Sequence, residues 1–551
     1  MVIGMAIDKI TQIFIENAPD SNTDLLEKTY LFLKKEIQDI PFSERNLVYN
    51  HGLEFAENVA SHSNHVEFTC ASLLFDLARH KKPDIYFKIR KELGENITLL
   101  TKSYEFARQK LNDQEPYLRH SFHTALHLAN VKSSTPAICA ALLHELPSRG
   151  QTSLGDIAKI FTKEIASLLE KFEKIHHLKV PDNREFIANL KEMVVAMAQD
   201  LRVILIKMCS NIDRLTTLEL GSPEKIHNIA RESMDILAPI ADLLGIWELR
   251  WPLEDLSFKI LQPEEYQKIA EQFRVDEKKN REKYIKKTKN LLAKAAAEAK
   301  IPCRIDGRFK HFYSIYQKMK IKNKVFSDIG DVFALRVVVN SVDECYRMLG
   351  IIHRLWKPKQ KRIKDYIASP KSNNYQSLHT TVFGLNGRAT EFQIRTKTMD
   401  EEANYGIAAH WFYKNTKKKA PDWIQELLLK QQTLKNDEEF FSNFSSEILS
   451  NRIYVYTPKG DVISLPAGAT PVDFAYHIHT ELGNKCFGAI VNDQPVNLNH
   501  ALSTNDVVQI LLDRQKIGPD LEWLNFVKTP LARSQIENYK YTKTVARSFR
   551  L

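Results

Sequence analysis

The feature that most limits the fold is a stretch of sequence that returns in altered form. His51-Gly-Leu-Glu-Phe-Ala, leading on to Cys70-Ala-Ser-Leu-Leu-Phe-Asp76, is answered by His120-Ser-Phe-His-Thr-Ala, leading on to Cys139-Ala-Ala-Leu-Leu-His-Glu145. The offset is 69 positions (His51 to His120, Phe75 to His144), and Glu95-Asn-Ile-Thr-Leu-Leu-Thr-Lys meets Glu164-Ile-Ala-Ser-Leu-Leu-Glu-Lys at the same spacing. Apolar residues fall at three- and four-residue intervals, as in Ile157, Ile160, Phe161, Ile165, Leu168, Leu169 and Phe172, which is the period of an amphipathic helix. A helical unit present twice, over 45–110 and 114–179, is the reading.

This helical pattern fills 1–270, and a Lys/Glu/Ala-rich solvated linker helix is expected over 271–300. The period then changes. Phe333-Ala-Leu-Arg-Val-Val-Val-Asn340 is a β-branched strand, and two further strands flank Asn386-Gly387, a good hairpin turn. Mixed α/β structure is expected over 301–415, with a linker and helix over 416–450. A small α+β module of roughly ubiquitin size follows over 451–513, and a helical tail over 514–551. The chain is thus a multidomain α+β protein with an all-helical N-terminal region.

Net charge is +10, and its placement says more than its size. Residues 301–420 hold 23 Lys and Arg against 10 Asp and Glu, so the whole basic excess lies in that window. Such a field attracts polyanions such as nucleotides. The six cysteines form no CxxC pair, which excludes a cysteine zinc cluster and fits a reducing compartment. MVIGMAIDKITQ does not read as a signal peptide, and no uncharged run reaches about 18 apolar residues, so a cytoplasmic protein without membrane contact is expected.

The basic window also carries the best set of chemical groups. In Gly307-Arg-Phe-Lys-His-Phe-Tyr-Ser314 and the following Ile-Tyr-Gln-Lys318, a helix from about 311 puts Ser314 and Lys318 on one face. Arg308 and Lys310 add two cations, which suits a triphosphate. Asp331, just before the Phe333 strand, could hold hydrated Mg²⁺. Alternation sets Glu391, Gln393 and Arg395 on one strand face, which is costly to bury and so reads as lining a polar site. Tyr375 and His379 could stack on a base, with Lys364 and Lys371 reaching its phosphates.

GRFKHFYSIYQKM, KDYIASPKSNNYQSLHTTV, EFQIRT and GIAAHWFYK closely resemble the nucleotidyltransferase-like synthetase domain of the RelA/SpoT homologues, which make (p)ppGpp. The resemblance runs from about 105 to 540 and includes IYVYTPKGDV, typical of a β-grasp TGS module. It implies transfer of the β,γ-pyrophosphate of ATP to the 3′-oxygen of GDP or GTP in the stringent response. Arg308, Lys310, Ser314 and Lys318 would hold ATP. Asp331 and Glu391 would bind Mg²⁺, with Glu391 the base. Lys364, Lys371, Asn373, Tyr375 and His379 would surround the acceptor nucleotide. In the TGS module His477 and His479 would contact uncharged tRNA on the ribosome.

The helical half resembles the family's HD-type hydrolase, in which two His, an adjacent Asp and a distant Asp bind Mn²⁺. Here His120 and His144 match, but Glu145 replaces the adjacent Asp and Ser210 stands where the distant Asp is expected. The expected Glu-Asp pair reads Ser148-Arg149, and the expected cationic loop reads Leu111-Asn-Asp-Gln114. A hydroxyl is a poor anionic ligand, so an inactive, degenerate hydrolase half is expected. Arg362-Ile-Lys-Asp365 points the other way, since the basic form of this segment is typical of bifunctional members. The alternatives are therefore a bifunctional enzyme with residual Mn²⁺-dependent hydrolysis, or a non-catalytic regulator that binds tRNA or the ribosome.

Overall fold

The computed structural model describes residues 2–17, 23–63, 65–81, 83–112, 114–176, 192–271, 275–309, 311–322, 333–360, 362–368, 370, 375–406, 452–458, 462–503, 506–513, 515–516, 518–529, 531–537 and 539. The chain divides into two compact units, 1–369 with 375–429, and 430–551 with 370–374.

In the first unit the helices α1 (Phe42–His62), α2 (Val66–Leu73), α3 (Phe75–Lys81), α4 (Pro83–Leu93) and α5 (Glu95–Lys110) are followed by a second set in the same order. That set is α6 (Glu115–Asn130), α7 (Thr135–Leu143), α8 (Glu145–Ser148), α9 (Leu154–Ile160) and α10 (Lys163–His176). Next come α11 (Leu201–Thr217), α12 (Trp247–Leu261) and α13 (Val275–Glu298). The carboxylate of Asp200 accepts from Arg202 N–H and opens α11, satisfying one of the first turn's free amides.

The α/β part of this unit is a five-stranded sheet in the order β1-β2-β5-β4-β3. Its strands are β1 (Arg304–Phe309), β2 (Phe333–Val339), β3 (Lys364–Asp365), β4 (Leu378–Phe383) and β5 (Ala389–Thr396). Only β2 and β5 pair in parallel. Helix α14 (Phe312–Lys322) follows β1, α15 (Val342–Leu355) follows β2, and α16 (Lys397–Tyr405) follows β5. Asn386 and Gly387, both at positive φ, make the turn between β4 and β5. Ser341 starts α15 with a capping box: its hydroxyl accepts from Glu344 N–H while the Glu344 carboxylate accepts from Ser341 N–H.

One face of the sheet buries Leu335, Val337, Leu378, Phe392 and Ile394 against Leu292, Ala295 and Ala296 of α13 and Met348 and Ile352 of α15. Helix α13 is therefore one-sided rather than solvated all round. Its Lys/Glu/Ala composition hides an apolar stripe too sparse to stand out from the charges around it.

Several contacts join the helical part to the sheet part. The Asp255 carboxylate of α12 accepts from Phe312 N–H at 3.1 Å and Tyr313 N–H at 2.9 Å, the opening amides of α14. Beside it the His311 ring stacks on Trp251 at 4.5 Å. At the far end of α16, Gly406 has φ +53°, and a Cβ there would lie 2.1 Å from the Leu244 carbonyl oxygen. Only glycine fits that approach.

The second unit holds an antiparallel pair, β6 (Arg452–Tyr456) with β7 (Val462–Pro466), and a three-stranded sheet. The latter has the order β10 (Val508–Leu512), β8 (Cys486–Val491), β9 (Gln494–Val496). Helices α17 (Pro471–Ile478) and α18 (Thr480–Lys485) follow β7. Fully buried Asp473 caps α17 and also accepts from Lys528 and Thr529 N–H, while Trp523, Val527, Ala532 and Ile536 pack with Val472 and Tyr476. The described part of the tail thus belongs to this core. Among the described residues no helix is long and apolar enough to cross a membrane.

Candidate functional site

Helices α6, α7, α8 and α11 bring five polar side chains together inside the helical half. His120 and His144 face each other with their Nε2 atoms 3.2 Å apart. The Glu145 Oε1 atom lies 3.6 Å from His120 Nε2 and 3.4 Å from His144 Nε2. All three residues are buried. Ser210 on α11 places its hydroxyl 3.0 Å from His120 Nε2. Asp213, one turn further on, bonds His120 Nδ1 at 2.6 Å and His123 Nδ1 at 2.9 Å.

The tautomers follow from these partners. His144 Nδ1 lies 2.6 Å from the Ala141 carbonyl, which only accepts, so that nitrogen carries the proton. The Asp213 carboxylate fixes the proton of His120 on Nδ1 in the same way. Burial lowers the His120 imidazole to about 4, which keeps it neutral. Burial alone would raise Asp213, but its bonds to His120 and His123 outweigh that and hold the carboxyl at about 2. His120 Nε2 is thus left with its lone pair, and it lies with His144 Nε2 and a Glu145 oxygen in one small buried cluster. His120, His144 and Glu145 fit a divalent transition metal, with their ligand atoms all within 4.8 Å of one another. Asp213 and the Ala141 carbonyl orient the two imidazoles from behind.

Guanidinium groups also reach this carboxylate. Arg214 Nη2 donates to Glu145 Oε1, and Arg149 Nε donates to Oε2 at 3.2 Å. Burial opposes ionisation of Glu145, but the neighbouring imidazoles and Arg214 prevail and lower its carboxyl well below the usual range.

The second site lies on the sheet face opposite the apolar core. Register sets Thr381 of β4 beside Glu391 of β5, and His379 beside Gln393. His379 Nδ1 lies 3.1 Å from Glu391 Oε1, Gln393 Nε2 donates to the same oxygen at 3.3 Å, and Tyr375 OH lies 2.8 Å from His379 Nε2. A phenol, an imidazole and a carboxylate thus form one hydrogen-bonded row, and the fixed carboxylate is placed to take a proton from a hydroxyl brought to it. The Tyr366 ring packs edge-on against His379 at 5.3 Å.

Further along β5 the polar face closes. Arg395 is 2% exposed and bonds Asp400 of α16, which also binds Arg304 of β1 and Arg336 of β2. Arg395 is buried because its charge is paired, so it does not line an open site.

Ser314 and Lys318 stand one turn apart on α14, both half-buried. Arg308 lies on β1 opposite Ala334, and Lys364 is exposed on β3 opposite His379. Lys310, Asp331, Lys371 and Asn373 lie outside the described residues. In the second unit His477 and His479 are exposed, and His479 Nδ1 accepts from Glu481 N–H to start α18.

Comparison with known proteins accounts for all three regions. Residues 307–418 match the region found in RelA/SpoT proteins, 98–247 match an HD domain and 453–512 match a TGS domain. The bifunctional (p)ppGpp synthase/hydrolase SpoT of Escherichia coli K12 is 41% identical over 455 residues, covering 80% of this chain and 64% of that protein. The chain carries these three regions and is strongly similar to SpoT and RelA proteins. A probable guanosine-3′,5′-bis(diphosphate) 3′-pyrophosphohydrolase of Synechocystis is 42% identical over 445 residues, 79% of this chain and 58% of that one. A GTP pyrophosphokinase of Myxococcus xanthus is 38% identical over 460 residues, 81% and 60%. This RelA/SpoT homologue therefore spans less than two thirds of the length of these relatives.

These findings overturn the expectation of an inactive hydrolase half. The HD match takes in the whole buried cluster, and relatives about 40% identical carry synthase/hydrolase or pyrophosphohydrolase names. The physical reason is visible in the cluster. Glu145 in place of Asp lengthens the arm by one methylene, yet its carboxylate still reaches both imidazoles. Ser210 removes a carboxylate, while Asp213 on the same helix supplies one to His120. Arg362-Ile-Lys-Asp365 was the sequence signal in this direction.

Proposed function

We propose that this chain is a bifunctional enzyme that both makes and hydrolyses (p)ppGpp. The observation that carries the hydrolytic half is the gathering of ligand atoms from His120, His144 and Glu145 within 4.8 Å of one another inside the HD-matched region. Mn²⁺ held there by His120, His144 and Glu145 would supply Lewis acidity for release of the 3′-pyrophosphate. Asp213 keeps His120 in the tautomer that presents Nε2, and Ala141 does the same for His144.

For synthesis, Arg308, Lys310, Ser314 and Lys318 bind ATP, and Lys364, Lys371, Asn373, Tyr375 and His379 bind GDP or GTP. Glu391 takes the proton of the 3′-hydroxyl, and His379 and Gln393 hold that carboxylate in place. Mg²⁺ held by Glu391 and Asp331 would neutralise charge on the transferring phosphates. Because Tyr375 is bonded to His379, stacking on guanine would require that bond to lengthen or break. The matched TGS module, with His477 and His479 exposed, is read as a contact for uncharged tRNA on the ribosome. A cytoplasmic location fits both reactions.

The test is incubation of the purified chain with γ-labelled ATP and GDP in Mg²⁺, then of ppGpp in Mn²⁺. Labelled ppGpp in the first and free pyrophosphate in the second are expected. Product that survives the Glu391→Gln change would refute the synthetic assignment. No pyrophosphate from ppGpp at any Mn²⁺ concentration would refute the hydrolytic one.

A further inference from the structure

We propose that Arg149 and Arg214 form the receptor for the substrate's diphosphate in the helical half. The assignment rests on the hydrolytic reading above. Arg214 has a side chain only 4% exposed. One terminal nitrogen donates to Glu145, while its Nε is buried with no hydrogen-bond partner. A buried guanidinium with an unused N–H is costly unless an acceptor arrives to meet it. Arg149 stands across the same carboxylate, with Nη1 on the Gln114 side-chain oxygen and its guanidinium 3.1 Å from the Tyr117 ring centroid. At 27% exposed, Arg149 lies nearer the surface than Arg214.

Among the described carboxylates, Glu145 is the one paired with both guanidiniums, while Asp213 bonds His120 and His123, and Glu232 bonds Lys207 and Asn211. Two guanidiniums therefore share a single carboxylate. Lys225 lies in their field: burial lowers its ammonium most and Arg214 lowers it further, against the opposite pull of Glu145. Guanidinium forks match the paired oxygens of a diphosphate, which a lone ammonium does not. The sequence marks the site as this chain's own: the resemblance calls for Glu-Asp where Ser148-Arg149 stands. Here a diphosphate ester is met by cations at a position where carboxylates are expected.

The experiment titrates inorganic pyrophosphate into the metal-free protein by calorimetry, with the synthetic site filled by a non-hydrolysable ATP analogue. Arg149→Gln, on a partly exposed side chain, and Arg214→Lys, which keeps the buried charge, are compared with the parent chain. Pyrophosphate affinity is expected to fall at least ten-fold in Arg149→Gln and several-fold in Arg214→Lys, with Mn²⁺ affinity in Arg149→Gln within two-fold of the parent. In steady-state hydrolysis the KM for ppGpp is expected to rise more than kcat falls. Pyrophosphate affinity and KM both within two-fold of the parent would overturn the proposal while leaving hydrolysis standing. If the parent binds pyrophosphate through these arginines yet never cleaves ppGpp, the receptor stands and the hydrolytic reading fails.

Discussion

Two stretches of the helical half have the same order of helices and opposite interiors. In α6–α10, His144 faces His120 and Glu145. In α1–α5 the matching positions are Phe75, His51 and Asp76. Phe75 is 1% exposed, stacks on Tyr104 at 4.0 Å and meets Phe55, Phe68 and Phe122 edge-on. His51 and Asp76 still bond, at 3.0 Å, but near the surface, with side chains 47% and 15% exposed. Each stretch takes its character from its neighbour. The first is met by Phe122 of α6, the second by Ser210, Asp213 and Arg214 of α11. A helical frame of this kind holds either an aromatic plug or a cluster of buried polar groups, according to the element packed against it.

The comparison breaks most sharply at its matched centres. His144→Ala is expected to lower Mn²⁺-dependent hydrolysis by at least ~100-fold, because it removes a ligand rather than a supporting group, with pyrophosphate transfer from ATP unchanged. Radiolabel release from ppGpp measures the first and ppGpp formation the second. Phe75→Ala should instead cost about 3–5 kcal/mol of stability, the usual range for emptying a buried aromatic site, with both activities kept in the fraction that stays folded. Urea melts followed by circular dichroism would show it.

Asp213→Asn separates orientation from ligation. The amide leaves His120 in place but loses the charge that fixes its proton, and Mn²⁺ affinity should fall ~10–100-fold, read by calorimetry. Acid sensitivity should also trace to buried histidines, His65 in the first stretch and His120 and His127 in the second. His120 and His127 are lowered by burial to about 4. Each takes up its proton near 6.5 in the unfolded chain, so the unfolded state binds more protons between those values. The metal-free protein should therefore lose up to about 1.4 kcal/mol per histidine per unit as pH falls from about 6.5 to about 4. The matched positions in the first stretch are His51, half exposed, and Asn58. His51→Ala should change stability by no more than ~1 kcal/mol, as for an exposed ion pair.

Much of the α/β half could be read directly from the residues. Helix 312–322 with Ser314 and Lys318 one turn apart, the β2 strand and the Asn386-Gly387 turn all follow from local period and turn chemistry. The polar row Tyr375–His379–Glu391 did not, because it depends on which residue of β4 lies beside which residue of β5. Arg395 was misplaced for a related reason: its partner, Asp400, belongs to the next helix, and pairing made burial tolerable. Asp213 does not stand out in the sequence because the HD pattern points to position 210, whereas a residue three further along a helix shares its face.

Asp255 has a mechanical consequence. Its carboxylate sits on α12, and the amides it holds begin the helix that bears Ser314 and Lys318. The two bonds tie α12 to the first turn of α14, so a tilt of α12 would carry that turn and the helix bearing Ser314 and Lys318 with it. Traffic in the opposite direction uses the same joint, and a phosphate tail pulling on α14 would be felt in the helical half.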